Sequence, residues 1–476
     1  MIEDLKPYPE YKDSEVLSLG DVPSHWKMIR SGYLFREVID TGHPDLELLS
    51  IDRFRGIIRQ SDIGRKERAS KDRSNYKRIC KGQLGYNLMN AFMGSIGISR
   101  YEGIISPAYA VGQPKKEMNP WYYHHLYRTP IYAAEINRYS YGIMYERNRL
   151  YFDYFKRILV PYPPVDEQKK IVAVIYQKGK EFKNLIKTKH HLIDLLNEQK
   201  QVIISHILTR GIDSNARLKP SGIEWLGDVP EHWELIPLKF LSSKIQNGST
   251  PPTTEKAFYS NGTIPWFGPS SFSSNIEVED PMGYLPEIAF INGHARLIHG
   301  PALLIVVIAS IGRMALLIKD GATNQQITAF ELQVDRIDPK FAIRQLRLAE
   351  SYLNSTASTT TIAILKSSTV SRLTVALPCL DEQRLINKQI EDRTKPLEST
   401  IASTKNEISL IREYYTHLIS EIITGKIDVR ERKIEKSLAI ESKNRDGEFE
   451  DYTNIVIDPE HVHQMIINHN KKGVSL

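Results

Sequence analysis

Asp166-Glu167-Gln168, running on to Leu208-Thr209-Arg210-Gly211-Ile212-Asp213, returns later in the chain as Asp381-Glu382-Gln383, running on to Ile423-Thr424-Gly425-Lys426-Ile427-Asp428. The offset is 215 residues at both ends (381 − 166 and 428 − 213), so the two copies are equal in length with no net insertion. In the second copy Ile386, Ile390, Thr394, Leu397, Ile401, Thr404, Ile408, Ile411, Tyr415, Leu418 and Ile422 fall at spacings of three and four. The first copy puts Ile171, Ile175, Gly179, Phe182, Ile186, Lys189, Ile193, Leu196, Lys200, Ile203 and Ile207 at the same offsets. That spacing predicts two helices, each with one stripe turned to a partner helix, as in the seam of a coiled coil. The acidic starts, each behind a proline, suit helix N-termini, where negative charge and side-chain oxygens meet unpaired N–H groups. From Asp166 to Thr209 such a rod is about 66 Å long at 1.5 Å per residue. Pro396 is expected to kink or interrupt the second rod, and Gly179 to weaken the first. Two unrelated amphipathic core helices would not be expected to share both endings.

A second repeat precedes each rod. Residues 8–26 contain Tyr-Pro-Glu-Tyr-Lys-Asp-Ser and then Leu19-Gly20-Asp21-Val22-Pro23-Ser24-His25-Trp26. Residues 217–233 answer with Arg-Leu-Lys-Pro-Ser-Gly-Ile-Glu-Trp and Leu226-Gly227-Asp228-Val229-Pro230-Glu231-His232-Trp233, at an offset of 207 residues (228 − 21). The order is lead-in, globular segment, helix, and then the same again. A period this long means two duplicated domains, not a solenoid. The first rod leaves the first domain for the second, and by pseudo-symmetry the second rod returns. The expectation is an antiparallel pair of rods, a dumbbell with a quasi two-fold axis.

With 476 residues the chain has room for two to four domains, and 41% hydrophobic content supports real cores. The two cysteines, Cys80 and Cys379, are too few for a disulfide framework or a zinc site and point to a reducing cytoplasm. No secretory pattern opens the sequence. The most apolar run, Pro301 to Ser310, is too short to span a membrane and reads as a buried strand. A net charge of +6 is modest, so its distribution matters more than its sum.

The globular segments, about 24–160 and 231–377, share only local echoes: Asn87-Leu88-Met89-Asn90-Ala91-Phe92-Met93-Gly94-Ser95-Ile96-Gly97 is answered by Leu304 to Gly312. Short apolar runs broken by Gly, Asn and Pro predict a small α+β unit in each. Between Arg53 and Lys81 the first carries eleven cations (Arg53, Arg55, Arg59, Arg65, Lys66, Arg68, Lys71, Arg73, Lys77, Arg78 and Lys81) against Asp62, Glu67 and Asp72. Polyanion binding is the natural reading, because Lys and Arg neutralise phosphates and release counterions; a solvated basic loop is the ordinary alternative. Tyr86, Asn87, Asn90 and Ser95 add candidate base contacts. In the second segment the candidates lie in turns: Gly248 and Thr250, Ser270 and Ser271, Ser310 and Arg313, and Asn324, Gln325 and Gln326, with amides and a guanidinium able to read purine edges. Trp266 is expected to pack in a core.

Catalytic signatures are missing. There is no phosphate-binding Gly-x4-Gly-Lys-Ser/Thr loop, no Gly-x-Gly-x-x-Gly, and no Asn/Asp-Pro-Pro-Tyr/Phe motif of an amino-methyltransferase. His461 and His463 lack a third metal ligand at useful spacing.

The two lead-ins, the two Pro-x-x-Asp-Glu-Gln helix starts and Thr424-Gly425-Lys426-Ile427 resemble those of Type I restriction–modification specificity subunits, over about residues 8–428. Ser18 in place of the second copy's Trp225, and Thr-Arg-Gly in place of Thr-Gly-Lys, are departures between the copies. The resemblance implies an α+β chain with two similar target-recognition domains, joined by two long antiparallel coiled-coil helices in a pseudo-two-fold internal duplication. The divisions expected are a lead-in at 1–23, recognition domain 24–160, spacer helix 161–213, lead-in 214–230, recognition domain 231–377, spacer helix 378–429 and a charged tail 430–476. It further implies binding of double-stranded DNA at a split site, no catalysis in this chain and no membrane. Two methyltransferase copies would dock on the spacer helices, with restriction–translocase subunits beside them. S-adenosylmethionine, ATP and Mg would belong to those partners, with adenine the modified base. A self-contained nuclease or methyltransferase, or a coiled-coil scaffold, remains open from the residues alone.

Overall fold

The structure is a computed structural model that describes residues 6–53, 55–63, 72–141, 148–273, 275–356, 365 and 367–433. It divides into two compact units, Met1–Leu192 with Ser403–Leu476, and Ile193–Ala402, so that each unit owns part of both long helices.

In the first unit, strands Phe35–Glu37, Tyr109–Pro114, Leu84–Asn87 and Ile96–Ile98 lie side by side in that order, every pair antiparallel. In the second unit Ser242–Asn247, Ile327–Leu332, Ala302–Val306 and Met314–Leu317 form a sheet of the same order and direction. Taken by position along the chain, both sheets run first, fourth, second, third. The apolar run anticipated as a buried strand is Ala302–Val306, and all five of its residues are buried. Alternation across the sheet explains why it is apolar throughout. Leu303 and Ile305 enter one core with Phe330, Phe341 and Leu346, while Ala302, Leu304 and Val306 enter another with Phe267 and Phe272.

Each unit also closes its beginning onto its end. Lys27–Arg30 pairs antiparallel with Leu159–Tyr162, and Glu234–Pro237 with Thr374–Leu377, so each lead-in finishes beside the start of a long helix. The first long helix spans Val165–Arg210 and the second Leu380–Ile423, 46 and 44 residues. On the second, every position of the three–four stripe is buried or half-buried, with Leu397 and Ile411 the half-buried ones. Pro396 does not interrupt this helix, contrary to expectation. It and Asp392 both lie on the exposed face, where water can take the carbonyl that proline leaves without a donor.

Within the first unit the Tyr415 ring stacks 4.9 Å from Phe182, its hydroxyl donates to the Ile175 carbonyl at 3.1 Å, and Lys189 pairs with Glu407. Numbers rise on one helix as they fall on the other, so the two run antiparallel there. Within the second unit Lys200 meets Glu398 at 2.5 Å while Gly211 lies beside Glu382, the same antiparallel sense.

The repeated motifs converge on one junction in each unit. In the first, Glu167, buried in the opening turn of its helix, accepts from Trp26 Nε1 at 2.9 Å and Tyr8 Oη at 2.6 Å, with His25 Nε2 at 2.8 Å. In the second, Glu382 accepts from Trp233 Nε1 at 3.0 Å, with His232 Nε2 at 2.9 Å. The adjoining glutamines ask for the same partners in both. Gln168 donates to the Pro163 carbonyl and accepts from Asn119 N, the N-cap of helix Pro120–Leu126. Gln383 donates to the Pro378 carbonyl and accepts from Asp338 N, the N-cap of helix Pro339–Arg347. The opposite end of the other long helix arrives at the same tryptophan. Gly425 packs on Trp26 and Gly211 on Trp233, at φ of 77° and 73°. The Asp-Glu-Gln, His-Trp and terminal glycine repeats are therefore parts of one joint, made twice.

Candidate nucleic-acid interface

In the second unit four loops meet at one end of the four-stranded sheet. The first strand ends at Asn247, and Gly248 follows so closely against Thr323 and Asn324 that a Cβ would lie 2.2 Å from Thr323 Oγ1. Gly248 N donates to the Ile327 carbonyl and Ser249 N to the Thr323 carbonyl, both short backbone bonds of 3.0 and 2.9 Å. Asn324 N donates to the Phe267 carbonyl, which ties in the Gly268–Ser271 turn, and Val307 N donates to the Gln326 carbonyl, which ties in the loop of Ser310 and Arg313. Thr250 Oγ1 and the Gln325 amide bond across the cluster. Thr250, Ser270, Ser310 and Gln325 are exposed on this rim, and Gln326 half-exposed. The cluster offers hydroxyls and amides of both hydrogen-bonding senses, the functional groups that discriminate base edges.

Other candidates there serve the loops instead. Ser271 is buried with its hydroxyl accepting from Gly268 N, and Asn324 bonds to Gln326 through both ends of its amide. Arg313 turns inward, donating to the carbonyls of Pro269 and Phe272. Direct base contact is corrected for these three to support of the loops that carry their neighbours. Trp266 packs as expected, donating to the Ser249 carbonyl at 3.3 Å beside Tyr259.

In the first unit the corresponding loop joins Leu84–Asn87 to Ile96–Ile98. Asn90 is exposed at its tip, and Asn87 is half-buried with its side chain accepting from Met89 N. Gly94, at φ of 93°, faces the carbonyl of Arg53, so this loop touches the turn of the hairpin Leu49–Asp52 and Gly56–Arg59. Tyr86 and Ser95 are corrected: both are buried. The Tyr86 ring lies 5.3 Å from Phe155, inside the core, because the strand that carries it is covered on both sides.

The basic window resolves into several roles. Arg55 sits 3.7 Å from Asp52, and Arg59 3.2 Å from Glu47 with its guanidinium over the Tyr101 ring. Arg78 binds Glu102 at 2.5 Å and Asp40 at 3.5 Å; those hydrogen bonds and charges raise its pKa. Lys77 donates to the Tyr109 carbonyl at 2.6 Å, and burial lowers the pKa of Lys77 and of the half-buried Arg53. Arg73 is half-exposed and Lys81 exposed. Arg65, Lys66, Arg68 and Lys71 lie outside the described residues, as do His461 and His463. Among the described residues no group of three or more His, Cys, Asp or Glu is arranged to hold a metal ion, and no helix is long and apolar enough to cross a membrane. Arg128 and Arg347, each nine residues past a matching Asn/Asp-Pro helix start and not singled out from the sequence, sit at the base of the loops between second and third strands.

A family model described as the Type I restriction modification DNA specificity domain matches residues 230–413. The chain is 22% identical over 443 residues to a protein of Methanocaldococcus jannaschii assigned as the type I restriction enzyme MjaX specificity subunit, covering 88% of this chain and 97% of that one. To the type I restriction enzyme MjaVIII specificity subunit of the same organism it is 26% identical over 291 residues, 58% of this chain and 64% of the other. A chain solved in work on the complex assembly and conformational transition of the type I R-M system superposes with a TM-score of 0.57 at 14% identity. That match covers 84% of this chain and 98% of its counterpart and speaks for the fold. By these comparisons the chain is similar to the specificity subunits of Type I restriction–modification systems.

Proposed function

We propose that this chain is the sequence-specific DNA-recognition subunit of a Type I restriction–modification complex, each unit reading one half of a bipartite site. The observation that carries the reading is the doubled sheet, each copy exposing a polar side chain, Asn90 or Ser310, on the loop between its second and third strands, joined to the doubled helix junction. The exposed hydroxyls and amides of the second unit are suited to base edges. The first unit adds the basic window, suited to phosphates. The two long helices form an antiparallel coiled-coil spacer that sets the gap between half-sites, and the chain as a whole is a pseudo-two-fold duplication. Their outer faces receive two methyltransferase subunits, with restriction–translocase subunits joining the same assembly. Chemistry resides in those partners, which bind S-adenosylmethionine and, for restriction, ATP and Mg; this chain orients them on DNA and itself catalyses nothing. Methylated adenines mapped across the host genome, with and without this chain, test the proposal. A two-part motif with a constant gap that loses methylation on deletion is the expected result; an unchanged methylation map overturns it.

A further inference from the structure

We infer that Arg128 and Arg347 are positioning residues for sequence discrimination, each setting the reading loop of its own unit. The inference rests on the reading of the two units as separate half-site readers. Arg128 follows helix Pro120–Leu126 and donates through Nη1 to the carbonyls of Gly94 at 3.3 Å and Ile96 at 3.2 Å. Ile96 is the first residue of the outer strand, and Gly94 belongs to the loop that presents Asn90. A Cβ placed on Gly56 would lie 3.4 Å from the same Nη1. One guanidinium thus lies under both the loop of Asn90 and the turn of the basic hairpin.

Arg347 ends helix Pro339–Arg347 and donates through Nη2 to the carbonyl of Met314 at 3.0 Å, with the carbonyl of Asn275 at 2.5 Å. Met314 is the first residue of the outer strand of its sheet, the counterpart of Ile96. It directly follows Arg313, whose own guanidinium holds the Gly268–Ser271 turn. Burial lowers the Arg347 pKa, in keeping with a group enclosed by the protein. Each arginine stands nine residues after an N-cap followed by proline, Asn119-Pro120 in one unit and Asp338-Pro339 in the other, so the duplication itself aligns them. Helix and sheet bring both to the same structural position, at the base of the loop between second and third strands.

A guanidinium can hold two divergent carbonyls at once because its donors are fixed in a plane; a lysine ammonium is a point donor. Buried apolar residues anchor each loop, Ala91 and Phe92 in one unit and Val307 and Ile311 in the other, and the guanidinium fixes the strand end where the loop finishes. Base readout depends on placing side chains within a fraction of an ångström, whereas phosphate attraction is tolerant of such shifts. Loss of either arginine should therefore reduce discrimination more than affinity.

The test uses the full chain in complex with its modification subunits, and duplexes bearing the mapped site, the site altered in one half, or random sequence. Arg128→Lys is expected to relax preference at one half-site and Arg347→Lys at the other, each on the order of tenfold, about the discrimination of one base contact. The salt dependence of binding should stay unchanged, and Arg→Met should relax the same half-site further. Equal relaxation at both half-sites, or undiminished preference, overturns the inference. So does a uniform loss of affinity with a smaller salt slope, which would make these residues phosphate contacts. Should a Met variant fail to fold, the Lys pair carries the comparison. If the unaltered complex shows no preference for the mapped site, the recognition reading fails first, and the two failures remain distinct.

Discussion

Trp26 Nε1 donates to the buried carboxylate of Glu167 at 2.9 Å, and this bond fastens the first lead-in to the first turn of a long helix. Tyr8 and His25 bond to the same carboxylate, and burial together with the Glu167 hydrogen bond raises the Tyr8 pKa far above its usual value. Replacing Glu167 with Ala would strand these donors, two of them on the buried side chains of Trp26 and Tyr8. An unsatisfied buried donor costs about 1–3 kcal/mol, so Glu167→Ala is expected to destabilise the first unit by about 2–4 kcal/mol. Glu167→Gln keeps one acceptor oxygen and should cost less. Chemical denaturation of the two variants, followed by tryptophan fluorescence, checks the order; equal stability of Glu167→Ala and the parent would refute it.

The glycines that close the joint make unequal demands. A Cβ on Gly425 would meet Pro23 at 2.5 Å and Trp26 at 2.7 Å, whereas one on Gly211 would meet Trp233 at 3.3 Å and Pro230 at 3.4 Å. Both lie at positive φ, which already disfavours Ala by about 1 kcal/mol. Gly425→Ala should therefore lower the melting temperature more than Gly211→Ala. The reverse order would mean the two joints are not packed as described.

The rods were legible because a three–four spacing leaves a strong trace, and the duplication because both lead-ins and both helix starts survive in the sequence. What the repeats are for was not. Trp26 and Glu167 are separated by 141 residues, and Trp233 and Glu382 by 149, so no common spacing announces the bond. Pro396 reads as a break, yet an exposed face tolerates the carbonyl it frees. The basic window reads as one charged patch, but the acids that take up Arg59 and Arg78, Glu47 and Glu102, come from outside it. Tyr86 looks like a base contact only until the sheet that buries it is known. The loops at the sheet end of the second unit were anticipated because turn residues cluster there; Arg347 is marked only by its match to Arg128, nine residues past an Asn/Asp-Pro helix start in each unit.

Acid should loosen the end of the second helix. Asp428 holds its carboxylate below the usual range: burial acts to raise the pKa, but hydrogen bonds and charge from Arg430 prevail. A depressed folded-state value contributes stability above the unfolded pKa, near 3.9, and that contribution is lost as pH falls through the folded value. Arg430 also lies over the Tyr8 ring at 5.0 Å, so the loss reaches the joint. Asp428→Asn is expected to remove this part of the acid dependence. A variant that titrates as the parent does below pH 4 would place the effect elsewhere.

Charge divides unevenly between the recognition segments. Residues 24–160 hold 23 Lys and Arg against 13 Asp and Glu, and residues 231–377 hold 12 of each. Salt dependence of DNA binding should therefore come mainly from the first. Neutralising Arg65, Lys66 and Arg68 together is expected to lower the logarithmic salt slope by about 2–3, at roughly 0.9 per phosphate contact. Arg78→Gln should leave it unchanged, because Glu102 and Asp40 already occupy that guanidinium. Titrations at graded salt distinguish the two; an unchanged slope in the triple variant would return the window to a solvated loop.

The last prediction concerns length. The helices count 46 and 44 residues, and their antiparallel contacts pair Tyr415 with Phe182 in one unit and Lys200 with Glu398 in the other. If they act as a spacer, removing one turn from a single helix breaks the register of those pairs and should destabilise the chain. Removing a matched heptad from both preserves the seam and shortens the rods by about 10 Å, roughly three base pairs of B-form DNA. The mapped site should then keep both half-sites while the unspecified gap between them contracts. Retention of the original gap, with both half-sites still read, would show that something other than the helices sets the distance.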